Sequence, residues 1–223
     1  MAKSPSIRGL LAEGDHDLAS GRAFEVAMMV LEQPRLANRL IECLWDPSSG
    51  VACRAADALD IVSHELPRVL APWKEPLLGL LLEARPIKLR WHLAFFVGRL
   101  RLTPAECRRA AEVLRTWLDD RSSIVKTCAM QTLADLARQG PSLLAEVLDL
   151  LRILTRSGTP AMRARGRVLV KQLETGQPTT WKRVKPQAVA ATRMTSLSNP
   201  PRVISLSSAQ KKLRNRSGER RSL

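Results

Sequence analysis

Tyrosine is absent from this 223-residue chain, and five tryptophans and three phenylalanines are its whole aromatic content. Sheet folds draw on aromatic and β-branched residues at period two. Here that alternation never persists, which excludes a strand-rich architecture. Apolar runs are broken by charge or proline well short of the ~20 residues that a membrane span needs. The opening MAKSPSIRGLLAEGDHD has no apolar h-region of ~7–15 residues, so no secretory signal is read there and a cytoplasmic protein is expected. None of the four cysteines (Cys43, Cys53, Cys107, Cys128) stands in a CxxC pair. Metal-ligand spacing is therefore missing, and reduced, buried thiols are expected.

Catalytic patterns are equally sparse. The eleven glycines form neither GxGxxG nor GxxxxGK[ST], so no phosphate-cradling loop and no cofactor is expected. The three histidines, His16, His64 and His92, come with no nucleophile elbow or other family signature. Histidines satisfied in helices or exposed on them are the reading, with no catalytic and no metal-ligating residue assigned.

Acidic residues are missing from one end. Residues 175–223 carry eleven Lys and Arg against Glu219 alone, a net +10, whereas residues 1–174 carry 25 against 20, a net +5. This tail, rich in Ser, Pro and Arg, cannot bury enough apolar surface to offset the entropy of ordering it, so disorder is expected there. Residues 1–16 are read as a flexible N-terminus and 17–174 as the folded domain.

What the domain has instead is repetition. Residues 46–67 (DPSSGVACRAADALDIVSHELP) and 120–141 (DRSSIVKTCAMQTLADLARQGP) agree at seven of 22 positions. Pro67, Pro104 and Pro141 are 37 apart, each opening an amphipathic stretch, as suits a residue without an N–H in a first helical turn. Behind them run apolar columns: Leu70, Cys107, Leu144; Leu77, Leu114, Leu151; Leu80, Trp117, Leu154. Before them run Val51, Val125, Met162; the small residues Ala55, Ala129, Gly166; Leu59, Leu133, Val170; and Val62, Leu136, Leu173. A helix over 87–101 joins only with a one-residue slip, as Leu89, Leu93, Val97 and Leu100. Helix pairs are expected at about 17–45, 50–83, 87–119 and 122–156, with a closing helix at 160–174. Each pair alone leaves an apolar face exposed, so neighbours must stack to complete a core.

The segments DDRSSIVKTCAMQTLADLA and SGTPAMRARGRVLVKQLE resemble HEAT repeats, in which an aspartate or proline turn precedes a hydrophobic residue, a basic residue and a small-residue helix. Val125–Lys126 and Met162–Arg163 match that pair. Val51–Ala52 departs from it, and Leu89–Arg90 matches only after the slip. The resemblance covers residues 17–174. It implies an all-α fold, a right-handed α-solenoid of about four HEAT-like helix pairs plus a closing helix, and a role as a binding scaffold.

Three functional readings follow. The first is a non-catalytic scaffold that binds a protein through its helical surface, with Lys126, Arg163, Arg167, Lys171, Lys182, Arg183 and Lys185 as candidate contacts. Residues 163, 167 and 171 share one helical face, and Lys182, Arg183 and Lys185 surround Trp181. The second is nucleic-acid binding by the tail and last helix, where cations meet phosphate and Trp181 stacks on a base. The weakest is a HEAT-like DNA glycosylase using Trp117, Asp119 or Asp120, and Trp91. Periodicity places Trp117 in a core column, and the aspartates fit a helix cap.

Overall fold

The computed structural model describes residues 6–13 and 20–179, and these are helical, with no strand among them. Ten α-helices follow in order: α1 Ile7–Ala12, α2 Ala23–Glu32, α3 Ala37–Glu42, α4 Ser49–Glu65, α5 Lys74–Glu83, α6 Ile87–Arg99, α7 Pro104–Thr116, α8 Ser123–Gln139, α9 Leu144–Ser157 and α10 Pro160–Glu174.

Local chemistry sets the helix starts. Ser48, Ser122 and Thr159 each accept a hydrogen bond from the backbone N–H three residues on, capping α4, α8 and α10, which satisfies a donor the helix cannot. Thr103 and Glu106 form a reciprocal capping box at α7. The turn aspartates act one step earlier than expected. Asp46 and Asp120 accept from the N–H groups of Ser48 and Ser122 at 2.9 and 2.7 Å, so serine is the cap and aspartate shapes the turn before it.

The prolines open their helices in two ways. Pro104 starts α7 directly. Pro34, Pro67 and Pro141 begin 3-10 turns that lead into α3, α5 and α9. The longest of these, Pro67–Trp73, also contains Pro72, whose missing N–H prevents a regular α turn there.

From α4 onward, packing follows the 37-residue spacing. α2 packs on α4, α4 on α6, α6 on α8 and α8 on α10, so the even-numbered helices form one row. The odd-numbered helices lie against it: α3 on α4, α5 on α6, α7 on α8, and α9 on both α8 and α10. Leu77, Leu114 and Leu151 are fully buried, as are Ala55, Ala129, Leu59 and Leu133. Each such leucine contributes about 2–3 kcal/mol of burial. Gly166 is small because its neighbours leave no room. A Cβ there would collide with Thr155 Oγ1 of α9 and press on Met130 of α8.

Two differences from the sequence reading stand out. Residues 7–12, expected to be flexible, form α1, whose Ile7, Leu10 and Leu11 are core residues. The buried guanidinium of Arg54 donates from Nε to the Leu11 carbonyl at 2.5 Å. Six residues give too short a pattern to stand out as a helix, and tertiary burial stabilises it. In α6 the slip is accommodated by burying both candidates for the small-residue column. Leu93 is fully buried, and His92, 37 residues after Ala55, is 3% exposed. No helix among the described residues is long and apolar enough to cross a membrane.

Candidate functional surface

The even-numbered row is stitched together by polar groups. Asp57 of α4 receives Lys88 Nζ at 2.5 Å and faces His92 Nε2 at 2.9 Å, both from α6. Burial raises the Asp57 carboxyl, but the bonds and charges of His92 and Lys88 outweigh burial and hold it below the usual carboxylate range. Trp91 stacks on the His92 ring with centroids 4.3 Å apart. Asp60 of α4 pairs with Arg99 at 2.7 Å, and Arg99 also donates to Ser63 Oγ at 2.7 Å. Between α6 and α8, Thr132 Oγ1 donates to the Ala94 carbonyl at 2.8 Å.

At the α8–α10 boundary the partner is Arg165, which donates to Gln131 Oε1. Helical spacing sets position 165 apart from the face shared by 163, 167 and 171. Burial lowers the Arg165 guanidinium despite Asp135 nearby. Burial pushes the Asp135 carboxyl up to about 6, against bonds from Thr179 and Gln131 and the charges of Arg165 and Arg138. These are structural pairings in closed surroundings. Burial raises the thiols of Cys43 and Cys128 to about 11 and about 12, which removes them as nucleophiles near neutrality. Among the described residues no group of three His, Cys, Asp or Glu side chains is placed to hold a metal ion.

The candidate cations divide into three places. Arg163, Arg167 and Lys171 are exposed along α10. Arg167 and Lys171 line a groove of about 370 Å³ between α9 and α10, together with Arg152, Arg156, Val170 and Glu174. Arg152 is neutralised there by Asp149 and Glu174, at 3.1 and 2.7 Å. Arg156, Arg167 and Lys171 make no ion pair among the described residues. Sequence alone does not single out Arg156, because its place opposite Arg167 depends on how α9 lies on α10. Lys126 is half-buried in the first turn of α8 and outside this groove. Lys182, Arg183 and Lys185 lie outside the described residues.

Trp117, Asp119 and Asp120 lie in the turn between α7 and α8, and Trp91 lies in α6. Trp117 is 7% exposed, with the Arg90 guanidinium 6.0 Å from its ring centroid. Arg90 also pairs with Asp120. Trp91 turns instead to His92. A second groove, about 370 Å³, lies between α5 and α7, with Leu78, Leu82 and Val113 framed by Glu75, Arg109 and Glu112. Leu82 is 67% exposed.

One further feature departs from the sequence reading. Composition starts the tail at residue 175, yet residues 176–179 are bound to α8. Arg138 donates to the carbonyls of Gly176 and Gln177, Gln131 Nε2 donates to the Thr179 carbonyl at 3.1 Å, and Thr179 Oγ1 donates to Asp135. The remaining tail, read as disordered, lies outside the described residues.

Compared with models of known families, with curated proteins and with solved structures, the chain matches none significantly.

Proposed function

We propose that this chain is a non-catalytic α-solenoid scaffold of the HEAT type, right-handed, whose function is to bind a protein along its helical surface. The observation that carries the reading is the even-numbered row, in which α4, α6, α8 and α10 pack in succession at the spacing of the sequence repeat. Such an array needs no enclosed cavity to act; it offers a long face on which side chains are held by their neighbours. Buried ion pairs such as Asp57 with Lys88 fix the register of that face. Fold alone does not assign a ligand, so the partner is identified by capture. The full chain, used as bait in native lysate with and without nuclease, is expected to retain a protein that survives nuclease and about 0.5 M salt, a concentration that screens exposed charge pairs. Capture that vanishes under either treatment counts against the scaffold.

A second reading, nucleic-acid binding by the last helix and tail, is favoured by one specific observation. Arg156, Arg167 and Lys171 converge on one groove and form no ion pair among the described residues. Phosphates supply the missing charge, and each neutralised phosphate steepens the salt dependence. If a single-stranded oligonucleotide binds there, alanine at all three positions lowers the slope of log K against log salt by roughly 2. An unchanged slope removes this reading.

A further inference from the structure

We propose that the strip of α8 formed by Gln131, Asp135 and Arg138 is a binding surface for extended peptide, and that its resident occupant is this chain's own segment Gly176–Thr179. The proposal rests on the scaffold reading and names the class of ligand which that scaffold's even-numbered row accepts.

The segment begins with a reversal. Gly176 has φ +66° and donates its N–H to the Leu173 carbonyl at 3.3 Å. This left-handed position just past a helix end suits glycine. The chain then turns back over α8. Three of the four bonds holding it go to main-chain carbonyls: Gly176 and Gln177 from Arg138, and Thr179 from Gln131. Pro178, between them, has no N–H to satisfy. Recognition through backbone groups reads an extended chain with little regard for its side chains, which is how peptide grooves gain affinity.

The spacing fits an extended occupant. Gln131 and Arg138 are seven residues apart on α8, about 10.5 Å along a helix at 1.5 Å per residue. Gly176 to Thr179 is three residues, about 10 Å when extended. Helix and segment therefore run antiparallel in matched register, with Asp135 between the Gln131 amide and the Arg138 guanidinium to take the Thr179 hydroxyl. The receptor side is also braced by groups outside the segment. Gln131 is 2% exposed, its Oε1 is held by Arg165, and its Nε2 also bonds Asp135 at 2.9 Å. A partner using this part of the row has to offer an extended segment and displace the resident one, so the tail acts as an intramolecular competitor.

Limited trypsin digestion of the full chain, followed by mass spectrometry, tests this. Lys182 and Arg183 stand three and four residues past Thr179, whereas Arg193 and Arg202 are well beyond it. Cleavage after Lys182 and Arg183 is expected at least tenfold slower than after Arg193. The double variant Gln131→Ala, Arg138→Ala should abolish that difference and leave the Arg193 rate unchanged. Arg138→Glu alone, at an exposed position, serves if the double variant loses its cooperative melting. Equal wild-type rates at Arg183 and Arg193 overturn the proposal, as does protection that survives both variants. Unchanged cleavage with loss of partner capture assigns the strip to another chain, and also overturns it. A bait that captures nothing would instead remove the scaffold reading and leave the tail protection standing.

Discussion

His92 Nε2 lies 2.9 Å from Asp57 Oδ1, joining helices whose residues are 35 positions apart. The same carboxylate receives Lys88. One half-buried acid therefore answers two buried basic groups across the boundary between successive helix pairs. Removing one partner of a buried pair leaves the other charge without compensation.

Asp57→Ala is accordingly expected to cost about 3–5 kcal/mol, well above a typical surface substitution. Because the folded Asp57 carboxyl is held below its usual value, its contribution is present above the unfolded pKa and is lost as pH falls through the folded one. Denaturant melts of wild type and Asp57→Asn at several pH values check this: the gap is widest near neutrality and narrows in acid. A gap independent of pH contradicts it.

Asp135 has the opposite sign. Burial raises its folded pKa to about 6, so the ionised form opposes folding. That penalty is complete above pH 6 and disappears below the unfolded value near 4. Asp135→Asn keeps an acceptor for Gln131 and Thr179 while removing the charge. It is expected to stabilise the chain by about 3 kcal/mol at pH 8, since each tenfold difference in acidity between folded and unfolded chain is worth ~1.4 kcal/mol. At pH 4 the gain falls to almost nothing. Thermal melts at the two pH values decide it, and a destabilised variant at pH 8 contradicts the expected sign.

Gly166 tests the close approach of α9 and α10. Gly166→Ala drives a methyl into Thr155 Oγ1 and should cost about 1–3 kcal/mol, the usual penalty of overpacking. Thr155→Ala in the same chain vacates that space, so the double variant should melt above Gly166→Ala alone. Simple additivity of the two losses would show that the helices do not meet there.

The thiols provide a fourth check. All four cysteines are buried, and burial raises Cys43, Cys107 and Cys128. Since the thiolate is the reacting form, a disulfide reagent at pH 8 should label the native chain far more slowly than the denatured chain. Rapid labelling of a native thiol would place it outside the core.

Much of this architecture is readable from short-range pattern. Prolines at a 37-residue spacing, serine and threonine at helix starts and apolar residues at helical period are consequences of a few adjacent residues, so the helices after residue 20 fall close to where the sequence places them. The small column Ala55, Ala129 and Gly166 is legible for the same reason. α1 escapes because six residues carry too little periodicity, and its burial comes from contacts that include Arg54, 43 positions from Leu11. Arg165 is separable from Arg163, Arg167 and Lys171 by helical angle alone, but its partner Gln131 is not.

Sequence by itself determined that this chain is helical, that its helices recur at a fixed interval and that its excess positive charge sits at one end. These are matters of local conformational preference and composition, which act along the chain. Tertiary structure alone decided that Asp57 meets His92, that Arg156 joins Arg167 and Lys171 at one groove, and that Thr179 returns to Asp135. Those pairings span 11 to 44 positions and depend on how one helix is laid against another, a geometry that no local run of residues encodes.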